Sequence, residues 1–121
     1  METKILVTDD DPMILRMAEM FLCKAGYQVI KAESGSACLE ILRTETVSMI
    51  LLDVEMPGFS GIDTLMELRK THLAEGIPLY FLSGSEDTEE KVGAGEYPAD
   101  GFIKKPFLPG ALVSAVQNAL A

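Results

Sequence analysis

The chain has 121 residues, of which 48% are hydrophobic and 24% are charged, and its formal net charge is −9. This length predicts a single domain over residues 1–121, and the negative charge argues against direct binding of a nucleic-acid backbone. No apolar run approaches the roughly 18 residues of a membrane span, and the N-terminus lacks the layout of a signal peptide, so we expect a cytoplasmic protein without membrane contacts.

The chain opens with a predicted strand and helix. Lys4–Thr8 is apolar and β-branched, which predicts the strand. Asp11 and Pro12 predict the N-cap and the first residue of the helix, and Gly26 predicts its end. Apolar residues spaced by three and four predict the inward face of this helix: Met13, Ile14, Met17, Met20 and Phe21.

A second strand and helix follow. Gln28–Ala32 is short and has polar ends, which predicts a strand at or near the edge of a sheet, and Ser34 predicts the N-cap of the next helix. The apolar positions of this helix are Cys38, Leu39, Ile41 and Leu42. The two cysteines, Cys23 and Cys38, lack the spacing of metal ligands and are predicted to be buried thiols.

The stretch Ser48–Asp53 is the central feature of the sequence. Four consecutive apolar residues lead directly into Asp53, and turn residues follow, which predicts a strand buried on both faces. Asp53 then stands at the carboxyl end of that strand, the edge at which open α/β sheets bind ligands. Burial of a lone carboxylate is costly, so we expect cations around Asp53 or a functional role for it.

The second half of the chain continues the alternation of helices and strands. Ser60 or Gly61 begins a third helix that reaches about His72, a surface residue, and the fourth strand covers Ile77–Ser83. The inward residues of that helix are predicted to be Ile62, Leu65, Met66 and Leu68. A short or irregular helical stretch is expected within residues 84–100, since internal glycines weaken helices. A fifth strand at Phe102–Lys104 and a last helix from Pro109 complete the chain, the helix with its apolar side at Leu112, Val113, Val116 and Leu120.

Five strands thus alternate with five helical stretches. This pattern is typical of βαβ units, which form a parallel sheet with helices on both faces. The carboxyl ends of all the strands then share one edge, where Asp9, Asp10, Asp53, Ser83 and Lys105 converge. Three carboxylates suit a hard divalent cation such as Mg²⁺, and a carboxylate beside a metal ion and an ammonium can attack a phosphoryl group. The sequence therefore predicts a phosphorylatable aspartate.

These strand-end residues resemble those of response-regulator receiver domains over essentially the whole chain. Asp9-Asp10 resembles the acidic pair of that family, and Ser83 stands where the family has Ser or Thr. Asp53, followed by Met56-Pro57 and Gly61, matches the phosphoacceptor motif. Lys105-Pro106-Phe107 matches the Lys-Pro-Phe of the family. The resemblance implies a flavodoxin-like sheet of order 2-1-3-4-5.

The resemblance also implies a role for each residue. Asp53 would accept a phosphoryl group from a phosphohistidine, and Lys105 would pair with Asp53 and then with the phosphate. Mg²⁺ would be bound by Asp10, by Asp53 and by the main-chain carbonyl of Glu55, with Asp9 acting mainly through water. Two further residues would form the switch: Ser83, which would bond a phosphate oxygen, and Phe102, whose rotamer would follow phosphorylation. The peptide bond between Lys105 and Pro106 is usually cis in this family.

The implied partners are a histidine kinase or a histidine phosphotransfer protein, with an unknown downstream effector. The chain would be a stand-alone regulator or one domain of a longer protein, and a signalling switch that catalyses its own modification rather than a metabolic enzyme. Pro98 stands where relatives usually have Gly, which leaves the output surface open. Two alternatives remain: a pseudo-receiver that is never phosphorylated, and a Mg²⁺-dependent phosphatase with an aspartate nucleophile.

Overall fold

The computed structural model describes residues 3–84 and 99–121, and residues 85–98, which hold most of the predicted irregular helical stretch, lie outside the described residues. Strands and helices alternate along the described chain as β1 (Lys4–Thr8), α1 (Pro12–Lys24), β2 (Gln28–Ala32), α2 (Gly35–Thr44), β3 (Met49–Asp53), α3 (Gly61–Thr71), β4 (Leu79–Ser83), β5 (Gly101–Lys104) and α4 (Pro109–Leu120). Among these helices, none has the length and apolarity needed to cross a bilayer.

The five strands form one parallel sheet in the order β2-β1-β3-β4-β5, which confirms the predicted fold. All five residues of the central strand β3 are buried. Its side chains alternate between two cores, since successive residues of a strand point to opposite faces. Ile50 and Leu52 pack in the core that includes residues of α2 and α3, whereas Met49 and Leu51 pack in the core of α1 and α4.

Three predicted helix starts are confirmed by their hydrogen bonds. The Asp11 side chain accepts from the backbone N–H of Met13 at 2.9 Å, and the Ser34 hydroxyl accepts from Ala37 at 3.0 Å. Ser60 and Asp63 form a reciprocal capping box at the start of α3. These caps satisfy backbone donors that would otherwise lack partners at the first turn.

The inward face predicted for α1 was partly wrong, since of its five predicted residues Ile14 and Phe21 pack, partly buried, against the core. Its buried residues are Leu15, Ala18 and Leu22, whereas Met13 and Met20 are 62% and 57% exposed. Apolar residues occupy most of the circumference of this helix, so spacings of three and four fit two different faces. The small side chain of Ala18, fully buried here, marks the face that lies against the sheet.

Two further burial predictions need correction. Cys38 is buried as predicted, but Cys23 is exposed near the end of α1, because it lies beside rather than on the true inward face. In α3, Met66 is 46% exposed and Thr64 is fully buried. The Thr64 hydroxyl donates to the Ser60 carbonyl at 2.8 Å, and this bond satisfies the polar group that the sequence pattern placed outside the core.

The predicted strand bounds differ from the structure at two starts. β4 begins at Leu79 instead of Ile77, since Pro78 has no N–H with which to join the ladder. β5 begins at Gly101, one residue earlier than predicted. Both strands still end where the sequence placed them, so the residues at the carboxyl edge are unaffected.

Candidate functional site

The register of the sheet brings four strand ends together at one edge. Thr8 pairs with Leu52, so Asp9 lies beside Asp53 across neighbouring strands. Asp53 pairs with Leu82, which places Ser83 next to the end of β3. Ser83 pairs with Lys104, and the backbone N–H of Lys105 donates to the Ser83 carbonyl at 2.8 Å. The topology of the sheet therefore places at one edge polar residues that are up to about 100 positions apart in the sequence.

Lys105 connects two buried carboxylates in this cluster. Its ammonium lies 3.0 Å from Asp53 Oδ1 and 3.1 Å from Asp9 Oδ2. The Asp9 and Asp53 side chains are 0% and 4% exposed, and that of Lys105 is 19% exposed. Burial of two like charges requires such a counter-charge. The peptide bond between Lys105 and Pro106 is cis, as the resemblance implied.

The carboxylates of Asp9, Asp10 and Asp53 form a potential metal site. One oxygen from each of them lies within 4.8 Å of the others, and Asp10 is exposed while the other two are buried. The Asp9 carboxylate also accepts a hydrogen bond from the backbone N–H of Asp11 at 2.9 Å. A set of hard oxygen donors open to solvent on one side fits Mg²⁺, which binds through one or two carboxylates and retains water.

The electrostatics of the cluster follow from burial and crowding. Burial raises the pKa of Asp53 to about 7, the nearby Asp9 and Asp10 act in the same direction, and the hydrogen bond from Lys105 opposes them. Burial alone lowers the pKa of Lys105, but its contacts with Asp53 and Asp9 outweigh that effect, so the pKa of the ammonium is raised. Lys105 therefore stays charged at neutral pH, whereas Asp53 without a metal ion is close to its titration midpoint.

A cleft of about 320 Å³ opens above these groups. Its lining residues are Asp9, Asp10, Asp11, Asp53, Val54, Glu55, Gly84 and Lys105. Glu55 is exposed at the rim, next to the strand that ends at Asp53. Among the described residues that line the cleft, five are acidic and Lys105 alone is basic, so the cleft favours a cation.

The two predicted switch residues lie on neighbouring strands. Ser83 is buried at the end of β4. Phe102 on β5 is partly buried, and its ring stacks on that of Phe81 with centroids 6.4 Å apart and planes at 22°. Phe102 thus lies against the core that β4 shares with α2 and α3, not at the cleft itself.

Sequence reasoning missed the direct contact between Asp9 and Lys105, because the resemblance assigned Asp9 a role through water. The strand order could have predicted the contact, since Asp9 directly follows β1, the neighbour of β3. Sequence reasoning also gave no structural reason for the glycine at position 61. A Cβ atom there would lie 2.0 Å from the Asp53 carbonyl oxygen, so only glycine lets α3 begin against the backbone of Asp53.

Comparisons with known proteins agree with this arrangement. A family model described as the response regulator receiver domain matches residues 5–117. The chain is 36% identical over 117 residues to the probable transcriptional regulator ycf27 of Porphyra purpurea, a match that covers 97% of this chain and 47% of that protein. It is 35% identical over 120 residues to the DNA-binding response regulator MtrA of Mycolicibacterium smegmatis, with 99% and 51% covered. The chain therefore spans about half the length of these relatives.

Solved structures show the same likeness at the level of the fold. The chemotaxis protein CheY4 of Vibrio cholerae superposes with a TM-score of 0.91 at 28% identity, covering 99% of this chain and all of that one. The response regulator protein TrrA of Thermotoga maritima, in complex with Mg²⁺-BeF, has a TM-score of 0.86 at 28% identity and covers 98% of this chain and 99% of its own. The chain belongs to the family of response regulator receiver domains.

Proposed function

We propose that this receiver domain is a phospho-accepting switch in which Asp53 takes a phosphoryl group from a phosphohistidine with the help of Mg²⁺. The observation that carries the proposal is the position of the Lys105 ammonium, which lies 3.0 Å from Asp53 in a cleft with two further carboxylates. The donors are a histidine kinase or a histidine phosphotransfer protein, in keeping with the family.

The metal site proposed for this reaction consists of Asp10, Asp53 and the main-chain carbonyl of Glu55, with Asp9 contributing mainly through water. The carboxylate cluster supports this assignment, as does the complex of the similar protein TrrA with Mg²⁺-BeF. A bound Mg²⁺ would supply positive charge to neutralise the phosphoryl oxygens. Lys105 alone would not neutralise the phosphoryl oxygens, because the cleft already carries an excess of negative charge.

The residues of the chain perform the transfer as follows. An oxygen of the ionised Asp53 carboxylate attacks phosphorus and forms an O–P bond, while the P–N bond to the donor imidazole breaks and the imidazole leaves with the electron pair. Lys105 is close enough to Asp53 to stabilise the charge that develops on the phosphoryl oxygens. Ser83 donates a hydrogen bond to the transferred phosphoryl group, and hydrolysis later returns Asp53 to its carboxylate form.

Phosphorylation then shifts an equilibrium between two conformations through Ser83 and Phe102. The stacked rings of Phe102 and Phe81 connect β5 with the core, so rotation of Phe102 would change the surface beside it. Output passes to a downstream effector domain or protein, since two relatives about twice as long are named a probable transcriptional regulator and a DNA-binding response regulator. Direct nucleic-acid binding is not proposed for this domain.

The proposal is tested by labelling with phosphoramidate and Mg²⁺, followed by mass spectrometry of the intact protein. We expect one phosphoryl group on the wild-type chain, none on Asp53→Asn, and none when Mg²⁺ is removed by a chelator. Asp63→Asn is the matched control, since Asp63 belongs to the capping box of α3. Undiminished labelling of Asp53→Asn would disprove the proposal. A wild-type chain that neither labels nor binds Mg²⁺ would instead be a pseudo-receiver.

A further inference from the structure

The loop of residues 54–60 joins Asp53 to α3 and carries the Glu55 carbonyl. At its base, the Gly61 N–H donates to the Val54 carbonyl at 2.9 Å, and Gly61 packs on the Asp53 backbone. Farther along, Gly58 adopts a φ of 79°, which reverses the chain before Phe59. The base of the loop is thus fixed to the acceptor strand, and the position of its outer part depends on other contacts.

The ring of Phe59 supplies such a contact with α2. It lies against Gly35, the first residue of that helix, so closely that a Cβ atom at position 35 would be 2.7 Å from the ring. The same Cβ would lie 2.2 Å from the Thr64 hydroxyl. We call the space formed by Gly35 and Thr64 the Gly35 notch. The ring of Phe59 is half-buried in it, so the loop is attached to a second helix as well as to the sheet.

Thr64 also fixes the adjoining part of the loop. Its hydroxyl donates to the Ser60 carbonyl at 2.8 Å, while Ser60 caps α3. Phe59 therefore lies against the backbone of Gly35 in α2, and Ser60 is held by the Thr64 side chain of α3, both outside the cleft itself. Because a peptide chain with fixed ends and few rotatable bonds has little freedom, the residues between Val54 and Phe59 inherit this restraint.

We propose that Phe59, held in the Gly35 notch, is a positioning residue that fixes the loop and thereby places the Glu55 carbonyl for metal binding. The inference rests on the proposed function, since it assumes a Mg²⁺ site that includes this carbonyl. Groups that orient metal ligands without touching the metal change affinity when they are removed. Phe59 acts in that way through the backbone, and Gly35 acts by leaving room for the ring.

The test measures Mg²⁺ binding to the whole chain by titration calorimetry. Phe59→Ala is expected to raise the Kd for Mg²⁺ about tenfold, and Phe59→Leu by less, since Leu still partly fills the notch. Gly35→Ala should raise the Kd similarly by displacing the ring. The Kd of the double variant should be at least that of Phe59→Ala alone, because the methyl group added at position 35 also meets the Thr64 hydroxyl. In phosphoramidate labelling, the variants should need more Mg²⁺ while reaching the wild-type rate at saturation.

Two substitutions control for general loss of stability. Gly110→Ala adds a methyl group to helix α4 with nothing within 4 Å of it, and Met66→Ala truncates an exposed side chain on α3. Both should keep the wild-type Kd. If Gly35→Ala fails to fold, Phe59→Ala decides alone, since deleting a half-buried ring introduces no clash. A wild-type Kd in folded Phe59→Ala overturns the inference, whereas a wild-type chain that binds no Mg²⁺ overturns the proposed function with it.

Discussion

Lys105 determines how much negative charge the cleft can hold without a metal ion. Its ammonium contacts the buried carboxylates of Asp9 and Asp53, so Lys105→Met removes the counter-charge and keeps most of the side-chain volume. Loss of one partner from a buried ion pair costs about 3 kcal/mol. We expect a loss of that size in the free energy of unfolding at about pH 8, measured by urea denaturation without metal. The loss should be smaller at about pH 5, where Asp53 is protonated.

The surface pair of Lys31 and Glu19 provides the matched control for this experiment. Its atoms lie 2.9 Å apart, but both side chains are well exposed. Exposed ion pairs contribute less than about 1 kcal/mol, because water already solvates both charges. Lys31→Met should therefore cost little at either pH. Equal losses for the two variants would contradict the claim that Lys105 compensates buried charge.

At the scale of elements, strands were predicted more accurately than helix faces. The residues Lys4–Thr8 and Gln28–Ala32 form strands with the predicted bounds, because runs of apolar and β-branched residues and the turns that end them are local signals. The face of α1 is set by what packs against it. When most of the circumference is apolar, periodicity alone cannot tell which side meets the sheet.

Two substitutions in α1 test the corrected face. Leu22 is fully buried, so Leu22→Ala leaves a cavity and is expected to lower the free energy of unfolding by about 3 kcal/mol. Met20 is 57% exposed, so Met20→Ala should change it by less than about 0.5 kcal/mol. Urea denaturation of both variants measures the difference. A larger loss for Met20→Ala would restore the face predicted from the sequence.

The residues of the candidate site and the contact of Lys105 with Asp53 were predicted, but its other contacts were not. Asp53, Ser83 and Lys105 could be identified from their places at strand ends, because a parallel sheet brings such ends to one edge. The contact of Asp9 with Lys105 was missed although the resemblance implied the strand order, because Asp9 was assigned a role through water. The fit of Phe59 against Gly35 depends on the packing of α2 against α3, and a glycine in a sequence does not reveal which side chain needs its space.

The whole molecule is negatively charged, and acidic residues are concentrated in the cleft where the proposed phosphoryl group would add further negative charge. The net charge is −9, and five acidic residues line the cleft with Lys105. A phosphoryl group on Asp53 would replace one negative charge by about two. Coulomb repulsion in a partly buried site grows accordingly. An external cation would offset this negative charge, and the excess charge should also affect the stability of the metal-free fold.

The pKa of Asp53 determines how that stability depends on pH. Its ordinary value of 3.8 is raised to about 7 in the folded chain, mainly by burial. Between these values the folded chain binds more protons than the unfolded chain, so the Asp53 contribution to stability falls as the pH rises from about 4 to 7 and levels off above. Lys105 titrates well above this window, since its pKa is raised from 10.5, and it does not reverse the slope.

Mg²⁺ should counteract this loss, and its effect should grow with pH. A cation that binds only the folded chain stabilises it by mass action, but at low pH it competes with the proton on Asp53. We expect thermal unfolding between about pH 5 and pH 8 to show little stabilisation by Mg²⁺ at the low end and a clear one at the high end. Asp53→Asn separates the contribution of Asp53 from that of general charge repulsion, because the variant keeps the other acidic residues and their repulsion. Identical pH profiles for Asp53→Asn and wild type would show that Asp53 does not carry the linkage.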